Sequence, residues 1–334
     1  MTMTEPQPPQ NQKDLPALAK LWGKRYVQGL LDPSRLLSDR DRFQLAEVAS
    51  LEGRVQTAAT LRGVLNFASA QAWAKTEGLL AEEVQRHRID VKLINPWQIA
   101  EDSHQLFEKL LDVYQQGKAP QTLATVIGPE CGRVRKGVTA EDPRLLGFVS
   151  MQIHYTGERL LEAISSTERL LVQDYLKVLD DHLYMPLHRA YEAAGKKALH
   201  SIDLTAVQSL LPQSGQIAQD ICSRVVQTYG TYRSQSGLLK DFNVLVSSIR
   251  DVEMFQIYLC VCLLEGSIAA FQEELFPLCV MLYPPLQVEW WLVRLLVEQL
   301  EEAFDAQLST EIAGRFRPYL TAMQELFAAE VVGT

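Results

Sequence analysis

Apolar residues recur at intervals of three and four along most of this chain, the period of an amphipathic helix. The alternation that marks a half-buried strand is missing. Leu15, Leu18, Leu21, Trp22 and Leu30 form a first stripe, capped by Asp14 and stopped by Asp32-Pro33. Ser38 precedes a second helical region over Asp39 to Lys75, with Gly53 and Gly63 as breaks, and Glu77 to Arg88 predicts another helix. Pro96 opens an amphipathic helix ending at Gly117, with Ile99, Leu106, Leu110 and Val113 on one face. Lys118 to Glu141 then holds Pro120, Gly128, Pro129, Gly132 and Gly137 without a helical period, and is read as a linker.

Helical patterning resumes at Asp142-Pro143. Ser165 and Glu168 have capping-box spacing, and the helix they start is bent or broken at Pro186 and stops near Gly195. Later starts fall at Asp203, Ser214 and Ser248, and further helices are expected over 267–283, 286–308 and 310–329. In the Ser248 helix, Ile257 to Leu264 is apolar on every side, so its second half should lie at the centre of a bundle. The expected fold is all-α: an irregular multi-helix array. A disordered tail (1–13) precedes a smaller N-terminal helical domain (14–117). The linker (118–141) then leads to a larger C-terminal helical domain (142–330).

Composition narrows this only slightly. The 334 residues are 47% hydrophobic and 22% charged, ordinary globular values. Charge is uneven. Residues 1–140 hold 18 Lys and Arg against 16 Asp and Glu, whereas the remainder holds 14 against 25. The acidic carboxyl half disfavours nucleic acid and anionic lipid as its partners. Ile257–Leu264 is cut by Glu265, and Leu275–Leu286 holds three prolines, so no membrane span is expected. The five cysteines form no CxxC pair, which points to reduced thiols and a cytoplasmic location. No metal and no cofactor is expected.

Signatures of catalysis are missing, and no catalytic residue is assigned. Arg133, Arg135 and Lys136, in a glycine-bearing stretch, suggest an anion site on a flexible loop or a solvated basic linker. Glu101 and His104 have the spacing of a di-iron helix, but a ferritin-like site needs two such motifs. Asp181, Tyr184 and His188 would share a face if the helix ran through Pro186. Gly147, Ser150, His154 and Gly157 form a stripe of small residues around a histidine, suited to close helix packing or to a notch for a ligand. Leu45 to Gly53 resembles the first helix and turn of a helix-turn-helix module, with Arg54 and Arg62 at positions usually apolar there. Trp290 falls in one helical row with Arg294, Glu298, Glu301 and Asp305, a candidate partner surface, while Trp291 falls on the buried side.

Asp180-Asp-His-Leu-Tyr-Met-Pro-Leu187, Ser248-Ile-Arg-Asp-Val-Glu-Met-Phe-Gln256 and Glu274 to Pro284, with the Asp142–Leu161 helix, resemble an uncharacterised family of cyanobacterial proteins. The resemblance implies a cytoplasmic bacterial protein and carries no activity. The function expected first is a non-enzymatic protein–protein interaction module: an adaptor, scaffold or assembly factor that binds another protein or a second copy of itself. The alternatives are a DNA-binding regulator using residues 39–66 and a small-molecule-binding helical protein using His154 or His188.

Overall fold

The computed structural model describes residues 15–28 and 39–332; the tail assigned to 1–13 and the Asp32-Pro33 stop lie outside them. The all-α array expected from the periodicity is the fold. Helices α1 (Leu15–Gly23) and α2 (Arg25–Gln28) bury Leu18, Trp22 and Tyr26. After α3 (Asp39–Ala49), Ser50 caps α4 (Leu51–Arg86) by accepting from the Gly53 N–H at 3.0 Å. Gly53 is glycine for a packing reason: a Cβ there would overlap the backbone of Glu47 and Val48, where the chain folds back tightly. Neither Gly53 nor Gly63 breaks α4, which runs for 36 residues. It is flanked by α5 (Pro96–Gln115), whose expected apolar face is buried.

Residues 118–141 are not a linker. They form α6 (Pro120–Val126) and α7 (Gly128–Glu141). Pro120 and Pro129 occupy first-turn positions, where the missing N–H forfeits no helical hydrogen bond, so they begin helices. Gly132 lies where α7 meets His188, and a Cβ would overlap the imidazole.

The chain continues through α8 (Leu146–Glu162), α9 (Ser166–Tyr184) and α10 (Leu187–Gly195), with the Ser165–Glu168 capping box formed and the helix broken, rather than bent, at Pro186. Then come α11 (Ile202–Leu210), whose N-terminal boundary residue is Ser201 rather than Asp203, and α12 (Ser214–Tyr229). A two-residue hairpin of β1 (Arg233–Ser234) and β2 (Gly237–Leu238) supplies the only strands among the described residues.

Helix α13 (Phe242–Glu265) starts six residues before the expected Ser248, whose hydroxyl instead donates to the Val244 carbonyl at 2.9 Å. Every residue from Val252 to Leu264 is buried, as the all-round apolar pattern requires. Each buried Leu, Val or Phe there stabilises by about 1.5–3 kcal/mol. The polar members are partly compensated: Gln256 donates to the Ser214 carbonyl at 3.0 Å, and Glu253 pairs with Arg25, although each keeps one buried oxygen without a partner among the described residues.

A π-helical turn, Phe271–Leu275, leads into α14 (Phe276–Leu282). Pro277 has no N–H to offer the carbonyl four residues back, and the Phe276 N–H bonds to the Phe271 carbonyl, five back. The chain ends in α15 (Trp290–Gln307), α16 (Thr310–Leu326) and α17 (Ala329–Val332).

The two halves pack directly. Helix α4 lies antiparallel to α8: Arg144 just before α8 donates to the His87 carbonyl at 2.8 Å, Phe148 stacks near Trp73, and Gln152 donates to Ser69. Tyr26 reaches across to Asp181 at 2.9 Å, so the amino-terminal helices dock on the carboxyl half through buried polar contacts as well as Trp22.

Candidate functional site

A groove of about 930 Å³ opens between α8 and α9 on one side and α13, the hairpin and α15 on the other. Apolar side chains form its walls, among them Leu161, Leu176, Leu286, Val288 and Leu292. Its floor is polar and comes from three helices and the turn after α14. Arg250 on α13 donates to Asp180 on α9 at 2.5 Å, and its guanidinium lies 4.2 Å over the Tyr184 ring. His154 on α8 stands 3.4 Å from the same Asp180 carboxylate and 3.6 Å from Glu158. Tyr184 donates to Asp251 at 2.8 Å. Tyr283, just past α14, is buried with its hydroxyl beside Asp251 and Cys279, and Arg250 Nε has no hydrogen-bond partner among the described residues.

The charges of this floor are matched to each other. Asp180 is penalised by burial, but Arg250 and His154 outweigh that and hold its pKa well below the usual carboxylate range. Arg250 is correspondingly held charged by Asp180, against its own desolvation. Asp251 goes the other way: burial pushes its pKa up, despite Arg250 and the Tyr184 and Tyr283 hydroxyls beside it. Burial, reinforced by Asp251, pushes the Tyr184 and Tyr283 hydroxyls well above their ordinary range. Lys75 and Lys177 also line the groove, paired with Glu158 and Asp181, so the chemistry available is hydrogen bonding from a surface whose charges are largely paired.

Of the residues singled out from the sequence, His154, Gly157 and Tyr184 line this groove. Gly147 does not; it lies against Met281 and Leu282, where α14 crosses α8 closely. Asp181, Tyr184 and His188 are not brought together, because the helix ends at Tyr184 and restarts at Leu187. Asp181 is buried against Lys177 and Tyr26, while His188 packs over Gly132 and faces Glu192.

The anion site of Arg133, Arg135 and Lys136 is not formed either, since an α-helix points these residues in different directions. Arg133 pairs with Asp102 at 2.9 Å and Lys136 is exposed. Arg135 is buried and held by Glu274 at 2.6 Å, Tyr258 at 2.9 Å and the Leu183 and Tyr184 carbonyls.

Arg54 and Arg62 of the segment resembling helix-turn-helix also turn inward. Arg54 stacks on Tyr114, and Arg62 engages Glu108, Asp112 and Gln115. His104 faces Glu108 at 4.0 Å, and no metal-holding cluster of acidic, His or Cys side chains occurs among the described residues.

Trp290 is half-buried, stacked on Phe327 and edge-on to Tyr283, while Arg294 is half-buried and Glu298 exposed. Trp291 is not core. It is half-buried between Tyr229 and Tyr232, and its indole N–H donates to Glu289.

Asp180, Arg250, Asp251 and Tyr283 were missed. The available signal was Arg250-Asp251 placed just before the all-apolar stretch of α13, where two charges must enter a bundle interior. No helix among the described residues is long and apolar enough to cross a membrane. Comparison with known proteins gives no matching family model, curated protein or solved structure.

Proposed function

We propose that this chain is a helical binding protein that holds an elongated, largely apolar molecule in the groove between α8, α9, α13 and α15. The observation that carries this reading is the groove itself: about 930 Å³, with apolar walls and a small set of convergent polar groups on its floor. Ligand sites of roughly 300–1,000 Å³ with this division of labour are the common form of small-molecule pockets. Binding is favoured over catalysis because the floor's charges are already paired and the five cysteines are buried. The test is titration of full-length protein with Nile red, an uncharged solvatochromic dye. Ser247 is exposed at the groove rim, so Ser247→Trp should block entry without disturbing the core. Expected are a blue shift with the parent protein and at least tenfold weaker binding by the variant. No binding by the parent, or equal binding by both, would sink the proposal.

A second reading, the interaction module, is favoured by the amino-terminal helices. Trp97 is 85% exposed, Phe43 75% and Phe67 68%, which is unusual for large aromatic side chains. From Val55 to Ala74 the exposed positions of α4 carry no charge. If this surface mediates self-association, sedimentation equilibrium should show a concentration-dependent mass that Phe67→Ser with Trp97→Ser abolishes. A monomer at all concentrations would exclude the self-association form of this reading.

A further inference from the structure

Resting on the interaction reading, we infer that a second copy of this chain packs antiparallel along α4, with each Phe67 ring seated on the partner's Gly63. Phe67 is 68% exposed, near the middle of the 36-residue helix. Gln56, Gly63, Phe67, Ala70 and Ala74 are all exposed and follow one another at steps of seven, four, three and four. That spacing keeps them on one face and is the seam of a paired helix. Arg62 is the sole charged residue between Val55 and Ala74, and it turns aside to Glu108, Asp112 and Gln115 on α5. The exposed face of this stretch is therefore free of charge.

Gly63 supplies an independent observation. Glycine weakens a helix interior relative to alanine. A Cβ at Gly63 would meet nothing within 4 Å, so no contact within the described residues accounts for the missing side chain. The bare backbone lies one turn from Phe67 on the same face. Knob and socket thus stand side by side on one helix. Turning the stripe end for end about a point between them lays each Phe67 on the other's Gly63, the reciprocity that a two-fold interface demands. A face without charge also meets its own copy without repulsion, and offers no handle to a partner recognised by charge. The parallel alternative sets the two Phe67 rings against each other and Gly63 against Gly63, a bulge beside a gap. The stripe is roughly 30 Å long. That is short for a protein interface, so the dimer should be weak and populated at tens of micromolar.

The experiment uses full-length protein at such concentrations. Antiparallel packing sets Gln56 level with the partner's Ala74 and leaves it about 27 Å from the partner's Gln56. Gln56→Cys and Ala74→Cys chains are treated with a disulfide-forming oxidant, each alone and then mixed; the five native cysteines are buried. The expected result is crosslinking at least tenfold faster in the mixture than in either variant alone. Gly63→Gln has open space for its side chain in the free chain, so its melting temperature in dilute solution should not fall, while sedimentation equilibrium should show a dimer at least tenfold weaker than the parent's. Either cysteine variant crosslinking with itself as fast as the mixture overturns the antiparallel arrangement. A Gly63→Gln dimer as tight as the parent's overturns the Gly63 socket and leaves self-association standing. A parent that is monomeric at all concentrations sinks the self-association reading and this inference with it.

Discussion

Arg135 on α7 caps the end of α9: its guanidinium donates to the Tyr184 carbonyl at 3.0 Å and to the Leu183 carbonyl beside it. Those carbonyls belong to the last turn of a helix interrupted by Pro186, so they lack N–H partners of their own. The other edge of the guanidinium pairs with Glu274, inside the π-helical turn. One buried side chain therefore ties together two interruptions of regular helix. Arg135→Leu should destabilise by about 3–5 kcal/mol, because it leaves Glu274 short of a buried partner and the carbonyls bare. Arg135→Lys should rescue little, since one ammonium group cannot reproduce the fork. Urea unfolding measures both; a loss below about 1 kcal/mol for Leu would refute the linchpin role.

The same region shows where sequence reading reaches and where it stops. The core of α13 was legible because an apolar surface on every side of a helix has only one physical solution, burial. The capping box at Ser165 and the break at Pro186 were legible because they are local. Helices α6 and α7 were not, because proline and glycine have two meanings. Pro120 and Pro129 punctuate a helix start as readily as a loop, and Gly132 answers to His188, 56 residues later. The groove was half legible. His154 and Tyr184 stood out, but the Asp180–Arg250 pair spans 70 residues and leaves no local pattern.

The centre of α13 gives a second expectation. Leu263→Ala should cost about 2–5 kcal/mol, the range for emptying a packed leucine site. Cys260 and Cys262 flank it on different sides of the helix, and burial raises both thiols, Cys262 to about 12. Neither should react with a water-soluble disulfide reagent at pH 8 unless the protein unfolds. Stoichiometric labelling within seconds, with the circular dichroism unchanged, would show the helix to be peripheral.

His182 sets an acid limit. It is fully buried, its Nδ1 lies 2.8 Å from the Val178 carbonyl, and desolvation lowers its pKa from 6.5 to about 4. Asp181 pulls that value up and His188 pushes it down; the Tyr191 hydroxyl faces the other ring nitrogen at 3.4 Å. Because the folded value is depressed, the unfolded chain binds this proton first. Stability is complete above about pH 6.5 and falls between there and about 4, by about 3 kcal/mol. Asp180 adds a separate loss at lower pH, where its stabilising charge is removed. His182→Gln should flatten the unfolding free energy between pH 6.5 and 4 relative to the parent. An unaltered slope there would assign the acid sensitivity to other groups.

Trp290 and Trp291 are both half-buried, so the helical row placed Trp290 correctly at partial exposure but not Trp291 in the core. Trp290 stacks 6.0 Å from the fully buried Phe327, which also meets Phe255 and Phe276. It therefore holds the end of α16 onto the core, and its row-mates Glu298 and Asp305 are exposed without making it so. Trp291 instead joins Tyr229 and Tyr232 beside the hairpin, at the margin of the groove, with only partial burial. Trp290→Ala should thus remove a stacking partner from a packed aromatic cluster and destabilise by about 2–4 kcal/mol, somewhat less than a fully buried tryptophan. Trp291→Ala should cost less, about 1–2 kcal/mol, and should perturb Nile red binding more than stability, because the hairpin lines the groove mouth. Paired unfolding and dye titrations decide the matter. A larger stability loss for Trp291→Ala would restore the original assignment of Trp291 to the core and free Trp290 for a partner.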